Sequence, residues 1–282
     1  MNDILLFKTA DQRYISKSDF SRMLEDLLIP QTEILFLHTG MNFGLPNPAI
    51  KRVELLQHLY EAIAALRVPT LCAPTFTFSY CAGHDFDVQN TRSRMGALNE
   101  YIRQLPGAIR SVDPLLSVTL LGRHTDLVTD IGKYSIGENS FYHNLSKQQN
   151  VTFLFLGTEV GACFTYMHFL EERAKVPYRY NREFTGNTID GGTQYRDTYT
   201  LFVRYRNVIP NNRSFDYQEK LKVAGYLHVR KLGDGSAMSV DKDVASAVFN
   251  ELLERDPNHF ITGSFDPSTA DATFELHEMV AL

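Results

Sequence analysis

EILFLHTGMNFGLPNP, residues 33–48, and VTFLFLGTEVGACFTYMHFLEE, residues 151–172, decide how this chain folds. Each begins with a strand-length apolar run, Glu33–His38 and Val151–Leu156, that ends at a glycine-bearing turn. Unbroken runs of this length read as buried strands. Before the first, Ser16 or Ser18 caps a helix running towards Leu28, with Phe20, Met23, Leu24 and Leu27 on its apolar stripe. After it, the loop around Gly40, Gly44, Pro46 and Pro48 leads to a helix over 51–66 with Val53, Leu56, Leu59, Ile63 and Leu66 in period. Pro69 limits that helix, and TLCA (70–73) reads as a short strand closed by Pro74. Helix over 95–104, strand over 117–121, a turn near 136–139, helix after Gly157, strands over 198–209 and 224–231 and helix over 244–253 complete the series. Alternation of this kind implies an α/β fold: a central, mixed sheet flanked by helices in a single large domain spanning 1–282. No internal repeat, low-complexity tract or linker divides it.

Composition narrows the function. In 282 residues, 28 Lys and Arg face 33 Asp and Glu, a formal net charge of -5, which gives no general attraction to nucleic acid or anionic membrane. Three cysteines, at 72, 81 and 163, build no disulfide scaffold, and a reducing compartment suits them better. No charged-then-apolar leader opens the chain, and no run approaches a spanning helix. The expectation is a soluble cytoplasmic protein without membrane insertion or a nucleic-acid partner; oligomeric state is left open.

Residues 75–95, TFTFSYCAGHDFDVQNTRSRM, have no sustained periodicity, and a loop this long reads either as functional or as a surface excursion. The sharpest chemistry follows the 151–156 strand. Thr165, His168 and Glu171 fall three residues apart, so each neighbouring pair shares a helix face. One imidazole nitrogen can take a proton while a carboxylate holds the other and fixes the tautomer. The same spacing also fits a surface ion pair. Cys163 sits about 140° from His168 around a continuous helix, so a thiol–imidazole pair is disfavoured and a structural cysteine is the better reading. Cys81, His84, Asp85 and Asp87 cluster without any recognised metal spacing, so no metal is expected. His38 reads equally as loop-stabilising or as part of a pocket. Arg110, Ser111, Asp113 and Ser117 suit either a phosphate or pantetheine contact or a self-bonded turn. GxxxxGK[ST] and GxGxxG are absent, which removes the main support for nucleotide hydrolysis or a Rossmann site.

Taken in order, five blocks resemble the aminoglycoside 3-N-acetyltransferase (antibiotic N-acetyltransferase) family. LFLHTGMNFG (35–44) is similar to its strand, His-x-Ser/Thr and glycine loop, and CAPTFTFSY (72–80) to its Pro-Thr-aromatic segment. PGAIRSVDPLLSVTLLG (106–122) and GENSFYHNL (137–145) resemble two further loop signatures. LFLGTEVGACFTYMHFLEE (154–172) resembles its strand followed by Thr-x-x-His-x-x-Glu. Asp113 departs from the family's His or Asn and Phe141 from its Pro, which bears on substrate more than on chemistry. The resemblance covers about residues 17–262. It implies an antibiotic N-acetyltransferase-like domain and acyl transfer from acetyl-CoA, or another acyl-CoA, to an amine of an amino sugar without a covalent acyl-enzyme. By motif it implies His168 as general base, Glu171 as its orienting carboxylate and Thr165 beside them. His38, Thr39, Gly44, Arg110 and Ser111 would lie around the coenzyme.

The acceptor is a small molecule whose class the charges help to set. Between 173 and 213, eight basic residues (Arg173, Lys175, Arg179, Arg182, Arg196, Arg204, Arg206 and Arg213) face three acidic ones, with five tyrosines interleaved. An aminoglycoside is a polycation and wants carboxylates, whereas arginines and aromatics suit a nucleotide-linked amino sugar of the kind used in surface polysaccharide synthesis. Those arginines could equally be solvated or grip only the coenzyme phosphates. Antibiotic inactivation and, in another class, a non-catalytic CoA-binding scaffold are the competing functions.

Overall fold

Ile34–Thr39 lies at the middle of a seven-stranded sheet, flanked by Val151–Leu156 and Thr70–Pro74, both parallel to it. The structure, a computed structural model, describes residues 3–276; residues 1–2 and 277–282, the ends of the expected 1–282 domain, lie outside the described residues. Gly235–Asp241 and then His228–Leu232 extend the sheet antiparallel on one side. Val118–Gly122 and then Ile109–Arg110 extend it antiparallel on the other. The sheet is therefore mixed, with helices on both faces, as the alternation of elements implies.

Period-two geometry divides the buried strands between two cores. Leu35, Leu37, Leu154 and Leu156 pack with Phe20, Met23, Leu24, Leu59, Ile63 and Leu98 from three helices. Those helices are Lys17–Leu27, Arg52–Ala64 and Ala97–Arg103. The first is started by a capping box: the Ser16 hydroxyl accepts from the Asp19 amide, and the Asp19 carboxylate accepts from the Ser16 amide. Ile34, Phe36, Val151, Phe153 and Phe155 face the other way, against Phe141–Ser146, Met167–Arg173, Arg213–Val223 and Lys242–Arg255.

Three expectations need correction. The helix after Gly157 is two pieces, Val160–Cys163 and Met167–Arg173, because Phe164 leaves helical geometry (ψ 82°). The strand expected at 198–209 is the second arm of a long hairpin, Arg179–Asp190 against Thr193–Arg204, whose first arm is too polar to show as a strand. Residues 224–227 belong to the turn after the Arg213–Val223 helix, a helix not anticipated, and the edge strand begins only at His228.

Candidate active site

Gly157 turns the Val151–Leu156 strand towards the helices. Its φ is +63°, and a Cβ there would stand 2.3 Å from the Asn42 amide nitrogen, so the two post-strand loops approach each other only because this residue has no side chain. Thr158–Tyr166 then runs along the open end of the sheet, and the helical turn from Met167 sets His168 and Glu171 on one face.

Both are buried. The His168 Nδ1 lies 2.7 Å from Glu171 Oε2. Tyr178 donates its hydroxyl to Glu171 Oε1 at 2.7 Å, and Arg179 Nε stands 2.9 Å from Oε2. An Arg179 guanidinium nitrogen also comes within 3.0 Å of His168 Nδ1. A carboxylate can only accept, and it is the nearer partner, so Nδ1 carries the hydrogen and Nε2 the lone pair. Nε2 has no hydrogen-bond partner among the described residues. Burial would raise the Glu171 carboxyl, but Arg179, then His168 and Tyr178, hold it down at about 2. Burial first, and the Arg179 charge second, push the His168 pKa below 6.5 against the pull of Glu171. The dyad is a carboxylate beside a neutral imidazole at neutral pH.

Two adjoining cavities meet at this histidine. The larger, about 400 Å³, includes His38, Thr39, Phe76, Asn99, Thr165 and His168 in its wall. The smaller, about 200 Å³, shares Cys163, Thr165, His168, Arg179 and Arg204 with it and adds Glu171, Tyr178 and Asn211. Arg179 and Arg204 face each other across the base of the long hairpin. Residues 271–276 complete the wall of the larger cavity through Thr273, Phe274 and Glu275. Side chains of and around the hairpin hold them there. The Arg182 guanidinium lies 5.6 Å from the Phe184 ring and 5.1 Å from that of Phe274, and it donates to the Ala272 carbonyl at 3.0 Å. Arg206 pairs with Glu275 at 2.6 Å.

The structure thus gathers Thr165, His168, Glu171, His38 and Thr39 at one cleft. It places the other three candidates elsewhere. A Cβ on Gly44 would stand 2.6 Å from the Lys8 carbonyl oxygen, so that glycine serves the approach of the Leu5–Lys8 strand. Arg110 spends its donors on Ser117 Oγ and on the carbonyls of Val88, Thr91 and Thr75, pinning the 75–95 loop to the sheet. The Ser111 hydroxyl accepts from the Val118 amide. Asp113 accepts from the Leu115 and Leu116 amides and from Ser135, and Phe141 is buried in the core. Asp87 accepts from the Gln89 and Asn90 amides, Asp85 accepts from Asn187, and among the described residues no cluster suited to a metal ion forms. Of the eight basic residues of 173–213, Arg179 and Arg204 line the cleft, while Arg213 pairs with Asp256 and Lys175 with Glu172. Cys163 lies in the first short helix, its Sγ 3.3 Å from the Thr158 hydroxyl, and burial pushes its thiol up to about 11. Sequence reasoning passed over Tyr178 and Arg179 as partners of Glu171, although they follow it at seven and eight residues; the turn after the helix, where the Val176 amide donates to the Glu171 carbonyl, brings them back.

A family model described as aminoglycoside 3-N-acetyltransferase matches residues 61–254. The chain is similar to AAC-IIIb in a binary structure with CoASH, at 19% identity and a TM-score of 0.71, over 88% of this chain and 98% of that one. It is similar to AAC-VIa bound to sisomicin, at 19% identity and 0.69, over 85% and 97%. The YokD protein from Bacillus subtilis matches at 15% identity and 0.68, over 85% and 99%. At these identities the likeness is one of fold. No curated protein matches the chain by sequence.

Proposed function

Because this chain belongs to the aminoglycoside 3-N-acetyltransferase family, we propose that it transfers the acyl group of acetyl-CoA, or of another acyl-CoA, to an amine of an amino sugar by direct attack. The whole chain, 1–282, is then one antibiotic N-acetyltransferase-like domain. A single observation carries the reading: His168 has Nδ1 committed to Glu171 and a buried Nε2, without a partner among the described residues, at the junction of two cavities. That is where a base must stand if donor and acceptor meet from two sides. Orphaned nitrogens on His38 fit a polar ligand in the larger cavity, where His38 and Thr39 would face the donor.

His168, neutral at working pH, takes the proton that the attacking amine loses. Glu171 holds the ring in the right tautomer and steadies the imidazolium that forms; Tyr178 and Arg179 hold Glu171. His168 then returns the proton to the departing sulfur. A thiolate is a good leaving group, so no second acid is needed. Cys163 suits a covalent intermediate poorly, since its thiol is neutral and hydrogen-bonded to Thr158.

Charge on the cleft wall bears on the acceptor. Among the described residues the two cavities carry Arg94, Arg179 and Arg204, against Glu171 and Glu275. Both carboxylates are already engaged, the first by His168, Tyr178 and Arg179 and the second by Arg206. Among the described residues of this wall a polycation would find no spare carboxylate. An amino sugar bearing an anion, such as a nucleotide-linked one, fits this wall better than an aminoglycoside antibiotic. No helix of the described residues is long and apolar enough to cross a membrane, and the three cysteines are free, which suits the cytoplasm.

The test measures thiol release from acetyl-CoA with nucleotide-linked amino sugars and with kanamycin-like acceptors, at low and moderate salt. The sugar nucleotide should give the higher kcat/KM and lose efficiency as salt screens its attraction. Preference for the polycation at both salt levels would return the chain to antibiotic inactivation. Coenzyme binding without thiol release on any amine would make it a scaffold.

A further inference from the structure

We infer that His38 is a second catalytic histidine, which donates a ring N–H to the carbonyl oxygen of the donor thioester as negative charge builds there. It is given this role on the premise that the chain transfers an acyl group from a CoA thioester. His38 occupies the end of the central strand, in parallel register with Phe155 and at the wall of the same cavity as His168 and Thr165. Only 4% of its surface is exposed, and neither Nδ1 nor Nε2 has a hydrogen-bond partner among the described residues. Phe or Leu would fill this place without burying polar atoms, so the imidazole costs stability that no hydrogen bond among the described residues returns. A ligand atom in the cavity would supply the missing partner.

The ring is also held as a catalytic donor should be. It stacks on Phe155 at 4.3 Å with 10° between planes and on Phe36 at 5.0 Å, with Phe153 and Phe164 around it. Four aromatic neighbours fix its direction before substrate arrives, and a preorganised donor spends nothing on reorientation during reaction. Burial pushes its pKa down to about 3, so the ring stays neutral, with one N–H to offer and no positive charge. His168 differs on each count: a carboxylate orients it and its free nitrogen is a lone pair.

The two histidines divide the reaction. The amine lone pair forms the C–N bond while the carbonyl π pair moves onto oxygen, which accepts the His38 N–H. His168 Nε2 takes the amine proton. As the carbonyl re-forms, the C–S bond breaks, the sulfur leaves with the pair and takes the proton from His168. The products are an amide and free CoA thiol.

The experiment compares wild type with His38→Phe and His38→Gln. Isotope-edited infrared spectra of acetyl-CoA labelled with ¹³C at the thioester carbonyl report its hydrogen bonding without turnover. In wild type the bound carbonyl band should move to lower frequency than in free acetyl-CoA. In H38F it should return to the free position and kcat should fall by about 10²–10³, the usual effect of removing one such donor, with KM for acetyl-CoA within a few-fold. H38Q should recover part of both, and it carries the comparison if H38F does not fold. An unshifted band in wild type, or H38F turnover within about twofold of wild type, would overturn the assignment. So would equal weakening of CoA and acetyl-CoA binding in H38F with kcat retained, which would make His38 a pantetheine contact. Failure of the two readings is distinguishable: active wild type with an unshifted band removes the role of His38 alone. A His38-dependent shift without transfer to any amine removes amine acylation and keeps the carbonyl contact.

Discussion

The same strands build both faces of the central sheet, yet the faces do different work. On one, Leu35, Leu37, Leu154 and Leu156 interlock with side chains of three helices. On the other, Phe36, His38, Phe153 and Phe155 present flat rings, and the packing opens into the cleft that holds His168. Flexible aliphatic side chains adapt until space is filled. Rigid rings stack and tilt, and they can border a void without collapsing into it. A one-residue alternation along these strands thus gives one face to helix packing alone, while the other, which carries the larger core, also walls the cleft.

The division breaks most sharply at His168. Replacing it with Ala should lower the acyl-transfer rate by about 10²–10⁴ while leaving the protein folded. Stopped-flow or steady-state assays beside calorimetry check both halves of that statement. Leu24, buried on the aliphatic side, should behave in the opposite way: Leu24→Ala should cost about 2–5 kcal/mol of stability in denaturant titration, with kcat per folded molecule unchanged.

His38 sharpens the comparison, because it places a cost in stability on the catalytic face. Its folded pKa is depressed from 6.5 to about 3, so the unfolded chain binds a proton that the folded chain refuses. Stability from this group is complete above 6.5 and is lost as pH falls from there towards 3. His168, also depressed, adds to the same slope. Unfolding free energies measured across that range should fall with acid in wild type and fall less in H38F. Smallest of all should be Cys163→Ala, which removes a neutral thiol and its contact with Thr158 and should keep most of the activity; abolition of turnover in folded C163A protein would revive a thiol nucleophile.

Legibility in the sequence follows the same divide. Strands buried on both faces announce themselves as unbroken apolar runs, and Val151–Leu156 is found with its ends in place. The amphipathic helix from Lys17 is equally plain, although only the structure decides for Ser16 over Ser18 as its cap. Arg179–Asp190 is hidden because its exposed positions are Asn181, Glu183 and Thr185 and polar residues recur on its other face too, so its strand character comes from pairing with Thr193–Arg204 and not from its own pattern. The break at Phe164 has no Pro or Gly to mark it. At the site, His168 and Glu171 are legible since three residues on a helix suffice to join them. Tyr178 and Arg179 are not, because their approach to Glu171 depends on the irregular turn that folds the chain back after the helix. Gly44, Arg110 and Ser111 belong to motif segments whose neighbours reach the cleft, and motif order alone does not separate a residue that lines a cavity from one that supports its wall.

The latch of residues 271–276 against the hairpin has a consequence for how this protein could diverge. Phe274 and Glu275 are held by Arg182, Phe184 and Arg206, side chains outside the seven-stranded sheet. Exchanging those contacts would reshape one wall of the cleft while leaving the strands that carry His38 and the helix that carries His168 untouched. On the proposed reading, changes at Arg182, Phe184 and Arg206 and in the short tail would retarget the cleft without asking the core to be rebuilt.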